Sequence, residues 1–150
     1  MPPFQLENAR EADLELVERL VSEALLPLAG LRDQFPRGFV LAKAGESLVG
    51  AAGLERYGHV GLLRSLAVAN ETRGRGVGAS LVGDRVAWAK EARLEAVYAL
   101  TTTAGAFLQR LGFVPTDRSR VPPLLASSPE FAVACPASAA CLMLQTGGKP

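Results

Sequence analysis

Residues 63–82 read LRSLAVANETRGRGVGASLV, and the six residues Arg73–Gly78 within them (RGRGVG) decide how the chain is assembled. An apolar run ends at Ala69 and a polar turn follows. From Gly78 onward Leu81, Val82, Val86 and Ala89 recur at three- and four-residue steps, with Ser80, Asp84 and Glu91 on the other side. That spacing predicts a helix with one apolar face. A strand therefore passes through a glycine-rich turn into a helix. The first amides of such a helix have no intrahelical acceptors and point into the turn. Together with the helix dipole they form an anion site, and glycines let the backbone close around a phosphate. Arg73 and Arg75 add positive charge at the rim, whereas a plain strand-to-helix turn requires neither two arginines nor three alternating glycines.

Working outward, three strands precede this turn. FVLAKA, SLVGAAGLERY and VGLLRSLAVA are separated only by turns at Gly45-Glu46 and Gly58-His59, so they must be antiparallel neighbours. Their Val, Leu and Ala content suits a sheet covered on both faces. Before them, Phe4 and Leu6 mark a short strand. Glu11–Leu25 carries Leu14, Val17, Leu20, Val21 and Leu25 on one side, with acids in its first turns and Pro27 to end it. Leu28–Phe35 reads as a second short helix. After the glycine turn come the strand AVYALT, the helix AGAFLQRLG with Thr103 as its cap, a strand starting at Phe113-Val114, one helical turn within Pro122–Pro129, and a last strand over Ala139–Leu144. The expectation is one α/β (α+β) domain over residues 1–150, with a mixed central sheet, antiparallel in its first half, and helices on both faces.

Composition narrows the function. With 16 Lys+Arg against 15 Asp+Glu, no basic excess is available to neutralise a run of phosphates. No apolar run approaches the ~20 residues needed to cross a bilayer, and the polar start MPPFQLENAR does not resemble a secretory signal. Neither a nucleic-acid nor a membrane partner is expected, and a cytoplasmic location is. Cys135 and Cys141, in CPASAAC, read as reduced thiols, and one His (His59) with two Cys is too few soft ligands for a zinc site, so no metal is expected.

The glycine turn can be parsed in two ways. Gly74, Gly76 and Ala79 fit G-x-G-x-x-A, a dinucleotide fingerprint, but that motif belongs after the first strand of a βαβ unit, with an acid about 20 residues on. Here it follows antiparallel strands, and the next strand ends in Ala99-Leu100-Thr101. The other parse is Arg73-x-x-Gly76-x-Gly78. On it, LRSLAVANETRGRGVGASLV and AGAFLQRLGF resemble the GNAT superfamily of N-acetyltransferases over nearly the whole chain, most strongly from Leu63 to Val114. LTTTAGAFLQRLGF and the tail EFAVACPASAAC are similar to an arsenic-resistance-associated branch of that family. The LTT…RLGF stretch also resembles the acetyltransferase domain of N-acetylglutamate synthases.

The resemblance implies a GNAT-like acyl-CoA N-acyltransferase fold and an acetyltransferase that uses acetyl-CoA (coenzyme A). It would act on the amine of a small molecule, an amino acid or an analogue, by direct transfer in a ternary complex. It also implies cofactor contacts from Arg73, Gly74, Arg75, Gly76, Val77, Gly78 and Ala79 around the pyrophosphate. Main-chain contacts from Leu66, Ala67 and Val68 would hold the pantetheine arm and the thioester carbonyl. Homodimers occur in the family, so a homodimer is among the expectations.

Where many members place a Tyr that protonates the leaving thiolate, this chain has Leu108, which leaves a hydroxyl of Thr101, Thr102 or Thr103, or water, for that role. Glu55 is the candidate base for the amine proton, acting through a water, unless it is a solvated strand residue. Arg64 interrupts an apolar strand and must reach a carboxylate or solvent. With Ser65 it would hold the acceptor's carboxylate, or else pair internally with Glu55. The cysteines admit paired thiolate contact with a metalloid or, more simply, small apolar packing, and Trp88 reads as core. The missing Tyr also leaves room for a non-catalytic acyl-CoA-binding regulatory module.

Overall fold

The computed structural model describes residues 3–134 and 139–147. Two tight hairpins set the architecture. β2 (Phe39–Ala44), β3 (Ser47–Tyr57) and β4 (Val60–Val68) fold back on one another in antiparallel register, and β1 (Gln5–Asn8) pairs antiparallel with β2. The glycine turn then leads into α3 (Val77–Glu91), which crosses over to bring β5 (Ala96–Thr101) parallel to β4. After α4 (Gly105–Arg110), β6 (Val114–Pro115) forms an edge, and β7 (Ala140–Gln145) inserts antiparallel between β5 and β6. The described residues thus form a seven-stranded mixed sheet of order β1-β2-β3-β4-β5-β7-β6.

Both faces are covered, as the apolar strands require. On one, Leu81, Val82 and Ala89 of α3 pack on Val40, Ala52, Leu54 and Val97. On the other, Val17, Leu20 and Val21 of α1 (Leu14–Glu23) pack on Phe39, Leu41, Ala51 and Ala67. Gly50 is what lets α3 lie close to the sheet: a Cβ there would stand 2.8 Å from Val77 Cγ1 and 2.9 Å from Leu81 Cδ1.

Four local expectations need correction. The helix foreseen from Glu11 begins as a 3₁₀ turn over Glu11–Asp13, with α1 proper starting at Leu14. The second helix shrinks to α2 (Leu31–Gln34), because residues 28–30 between Pro27 and that turn are not helical. Thr103 does not cap α4. The hydroxyl of Thr101 accepts the N–H groups of Ala104 at 2.8 Å and Thr103 at 3.2 Å instead. Trp88 is not core but an exposed wall residue, while its neighbour Arg85 is buried, donating to the Gly38 carbonyl at 2.8 Å. A one-turn helix, α5 (Pro123–Ala126), lies in the segment foreseen for it. Cys141 is buried with Val60, Leu62 and Leu125, the apolar packing foreseen as the simpler reading. Cys135 lies outside the described residues. Among the described residues, no helix is long and apolar enough to cross a membrane.

Candidate functional site

The site begins with an irregularity in β4. Ala67 pairs with Ala51 and Arg64 with Gly53, so Ser65 and Leu66 together face the single residue Ala52. The extra residue is absorbed as a β-bulge, with Ser65 at φ +56°. Pairing with β5 stops at the same place: β4 and β5 are joined only through Val60–Leu63 and Ala96–Ala99. Beyond Leu63 the two strands part and leave a wedge. The Ala69 N–H bonds the Val49 carbonyl at 2.8 Å, so by strand alternation Ala67 directs its polar groups at β3, while Leu66 and Val68 direct theirs into the wedge.

The wedge widens into a groove of about 580 Å³ at the N-terminus of α3. The first internal bond of α3 runs from Ser80 N–H to the Gly76 carbonyl, and no side chain caps the helix. The amides of Val77, Gly78 and Ala79 are therefore left facing the turn. Gly74 and Gly76 hold φ +82° and +84°, and a Cβ at either would meet nothing within 4 Å, so the turn borders open space. Arg73 lines the groove and donates to the Val68 carbonyl at 3.3 Å. Arg110 and Phe107 of α4 line it from the opposite wall, with no acid among the described lining residues. Orphan amides, two guanidiniums and an apolar trough suit an anionic ligand with a long, uncharged arm.

Of the foreseen cofactor residues, Leu66, Ala67, Val68, Arg73, Gly74, Gly76, Val77, Gly78 and Ala79 all line this groove. Arg75 does not, and stands exposed. Arg110 and Phe107 were not foreseen. Their i, i+3 spacing in AGAFLQRLGF puts them on one side of α4, and that was the available signal.

A smaller chamber of about 70 Å³ continues from the groove into the wedge, sharing Leu26, Leu66, Thr103 and Ala104 with it. Arg64, Ser65, Thr101 and Glu130 complete its polar lining. Thr102 is exposed and lines neither space, which removes it from the hydroxyl candidates. Leu108 is 2% exposed and belongs to the core, so it offers packing and no proton. Glu130, a buried carboxylate on the stretch Glu130–Ala134, had no signal in the sequence: it is a lone acid in an otherwise apolar tail.

Arg64 and Glu55 take the internal alternative. Glu55 faces Leu62 and Arg64 faces Gly53 across the hairpin, which makes the two diagonal neighbours on one sheet face. Arg64 Nη1 stands 3.0 Å from Glu55 Oε2, with the Arg64 side chain fully buried. The same nitrogen donates to the Ala29 carbonyl at 2.8 Å, and Nε donates to Ser65 Oγ at 3.0 Å. Tyr57 donates its hydroxyl to Glu55 Oε1 at 2.8 Å. Burial and then this bond to the carboxylate push the Tyr57 phenol well above its usual range, so it stays protonated. Glu55 is thus neither a solvated strand residue nor a lining residue of the wedge. It is one half of a buried, charge-balanced network. His59 sits in the hairpin turn, exposed and away from both spaces.

A family model, that of the acetyltransferase (GNAT) family, matches residues 5–113. No curated protein sequence matches the chain. Among solved structures, N-acetylglutamate synthase from Neisseria gonorrhoeae, complexed with coenzyme A and N-acetyl-glutamate, superposes with a TM-score of 0.84 at 17% identity, over 99% of this chain and 36% of that one. The chain therefore spans about a third of that synthase. Rv2747 from Mycobacterium tuberculosis, in complex with CoA, gives a TM-score of 0.80 at 21% identity, over 94% of this chain and 98% of that one. The ribosomal-protein-S18-alanine N-acetyltransferase of Escherichia coli gives 0.73 at 11% identity, over 99% and 97%. At these identities the superpositions speak for the fold.

Proposed function

Because the chain belongs to the acetyltransferase (GNAT) family, we propose that it transfers an acetyl group from acetyl-CoA to the amine of a small molecule, an amino acid or an analogue, by direct transfer in a ternary complex. The observation that carries this reading is the acid-free groove ending in the uncapped amides of α3 and leading into the β4–β5 wedge. Residues 1–150 act as a single acetyltransferase domain in this reading, in the cytoplasm. The solved relatives named above include two with coenzyme A bound, which supports the choice of cofactor.

Acetyl-CoA, when bound, supplies an activated acyl group as a thioester. Arg73, Arg110 and the amides of Val77, Gly78 and Ala79 hold its phosphates, where helix-terminal amides and guanidiniums reinforce one another. The outward-facing backbone of Leu66 and Val68 would hold the arm and offer the thioester carbonyl a donor fixed in place before the reaction begins. The acceptor amine enters the chamber between Leu26, Ser65 and Thr101. Glu130, the carboxylate among the described lining residues of this chamber, takes the amine's proton in this reading, in place of Glu55, which does not line it. The Thr101 oxygen already accepts two N–H groups, so its own proton remains free to be donated toward the wedge.

The first experiment is calorimetric titration with acetyl-CoA, with NADPH as the control. One-site binding of acetyl-CoA that is lost in Gly76→Val supports the reading, and preferential binding of NADPH overturns it. A screen of amino acids for thiol release then separates the enzyme from the non-catalytic acyl-CoA-binding module. Glu130→Gln is expected to lower kcat at least about ten-fold while leaving acetyl-CoA affinity unchanged.

A further inference from the structure

A second cleft, of about 610 Å³, opens at the far end of β3 and shares no lining residue with the groove or the wedge. It exists because β2 starts at Phe39, opposite Gly53, which leaves Glu55–Tyr57 of β3 without a strand neighbour on that side. The turn through Asp33 and Arg37 forms one wall of this notch, Trp88 of α3 the other, and the end of β3 its floor.

Three of the charges in the notch, Arg37, Arg56 and Asp33, have no ion-pair partner among the described residues. Arg56 uses only its Nε, toward the Gly58 carbonyl at 3.2 Å. Glu55 on the floor is already balanced by Arg64. Two guanidiniums with free Nη groups match a planar carboxylate, while one nearby carboxylate suits an ammonium and weighs against a more highly charged phosphate. Beside these charges lies apolar surface: Pro129, which is exposed, and the indole of Trp88, which is 36% exposed.

We propose that this cleft binds a free α-amino acid with an apolar side chain, its carboxylate on Arg37 and Arg56, its ammonium on Asp33, and its side chain against Trp88 and Pro129. The ligand is not the acetyl acceptor, because the Glu55–Arg64 pair and the β3–β4 hairpin stand between this cleft and the wedge. The proposal is independent of the acetyl-CoA reading.

Trp88 is the chain's one tryptophan, so its emission reports on this cleft. Titration of the intact protein with L-leucine, followed by tryptophan emission and by calorimetry, is expected to saturate at a single site. Leucinamide, which lacks the carboxylate, and 4-methylpentanoate, which lacks the ammonium, are expected to bind more weakly. Arg37→Ala and Arg56→Ala each weaken L-leucine binding about ten-fold. Both residues are exposed, so an unchanged thermal midpoint verifies that the variants fold. Acetyl-CoA affinity, measured in parallel, is unaffected by either variant. Absence of both an emission change and binding heat with L-leucine overturns the proposal. So does an undiminished response in the doubly substituted protein, or leucinamide binding as well as leucine.

Discussion

Gly76 shows how much of this site is backbone. Its φ of +84° lies where an L side chain costs about 1–2 kcal/mol, yet a Cβ there would touch nothing within 4 Å. Gly76→Ala is therefore expected to fold, with a midpoint lowered by only a few degrees, and to lose acetyl-CoA affinity because the turn relaxes. Arg64 poses the opposite problem. Its charge was legible as anomalous in an apolar strand, but its destination depended on the hairpin register, which makes Glu55 its diagonal neighbour. Removing one partner strands a buried charge, so Arg64→Ala should cost about 3–5 kcal/mol. The pair Arg64→Met with Glu55→Leu should cost less than the sum of the single changes. Urea unfolding of the four proteins checks this, and strict additivity would show that the pair is not coupled.

At the scale of elements, the start of α1 is tied to the sheet by charge. Lys43 of β2 stands 3.0 Å from Glu7 and 3.2 Å from Asp13. Burial alone would raise the Asp13 carboxyl, but the Arg10 N–H at 2.9 Å and Lys43 bring it below its ordinary value. Lys43 is raised, mainly by its bond to Glu7. The Asp13 contribution is thus present above the ordinary carboxylate value of about 3.9 and is lost as pH falls through its depressed folded value. The Lys43 contribution is full below about 10.4 and is lost as pH rises through its raised folded value. These two groups by themselves leave the urea midpoint unchanged between these limits. Asp13→Asn should reduce the acid decline, and Lys43→Met should reduce both. Elements bracketed by glycine turns, β2 and β3 above all, were legible to the residue. α2 was not, because it is a single turn whose position depends on what its flanking segments pack against. Trp88 was misread because helical spacing cannot tell an apolar residue over the sheet from one at the sheet's edge.

For the whole molecule, the sheet order past β5 was the illegible part. Nothing local in the tail tells β7 to insert between β5 and β6, and that insertion is what brings the Glu130 stretch to the mouth of the wedge. Binding in the groove should stabilise the entire chain by linkage. Acetyl-CoA at about 100 times its Kd contributes about 2.7 kcal/mol, a rise of roughly 5–11 °C in the midpoint for a chain of this size. A rise far below that, at a saturation verified by calorimetry, would mean that the groove belongs to a locally unfolding part of the molecule.

The bulge at Ser65 makes this fold sensitive to a kind of mutation that residue scanning never samples. Leu66 and Val68 address the wedge through their main chain, so many apolar replacements at those positions leave the same groups in the same place. Removing one residue is different. Deleting Ser65 would leave Leu66 alone opposite Ala52, with Ala67 still opposite Ala51, straighten β4 where the bulge now bends it, and let it run on beside β5 so that the wedge closes. What this stretch must conserve is a count of residues, and alignments in which a single gap falls between Arg64 and Ala67 would mark chains that share the fold but have given up the site.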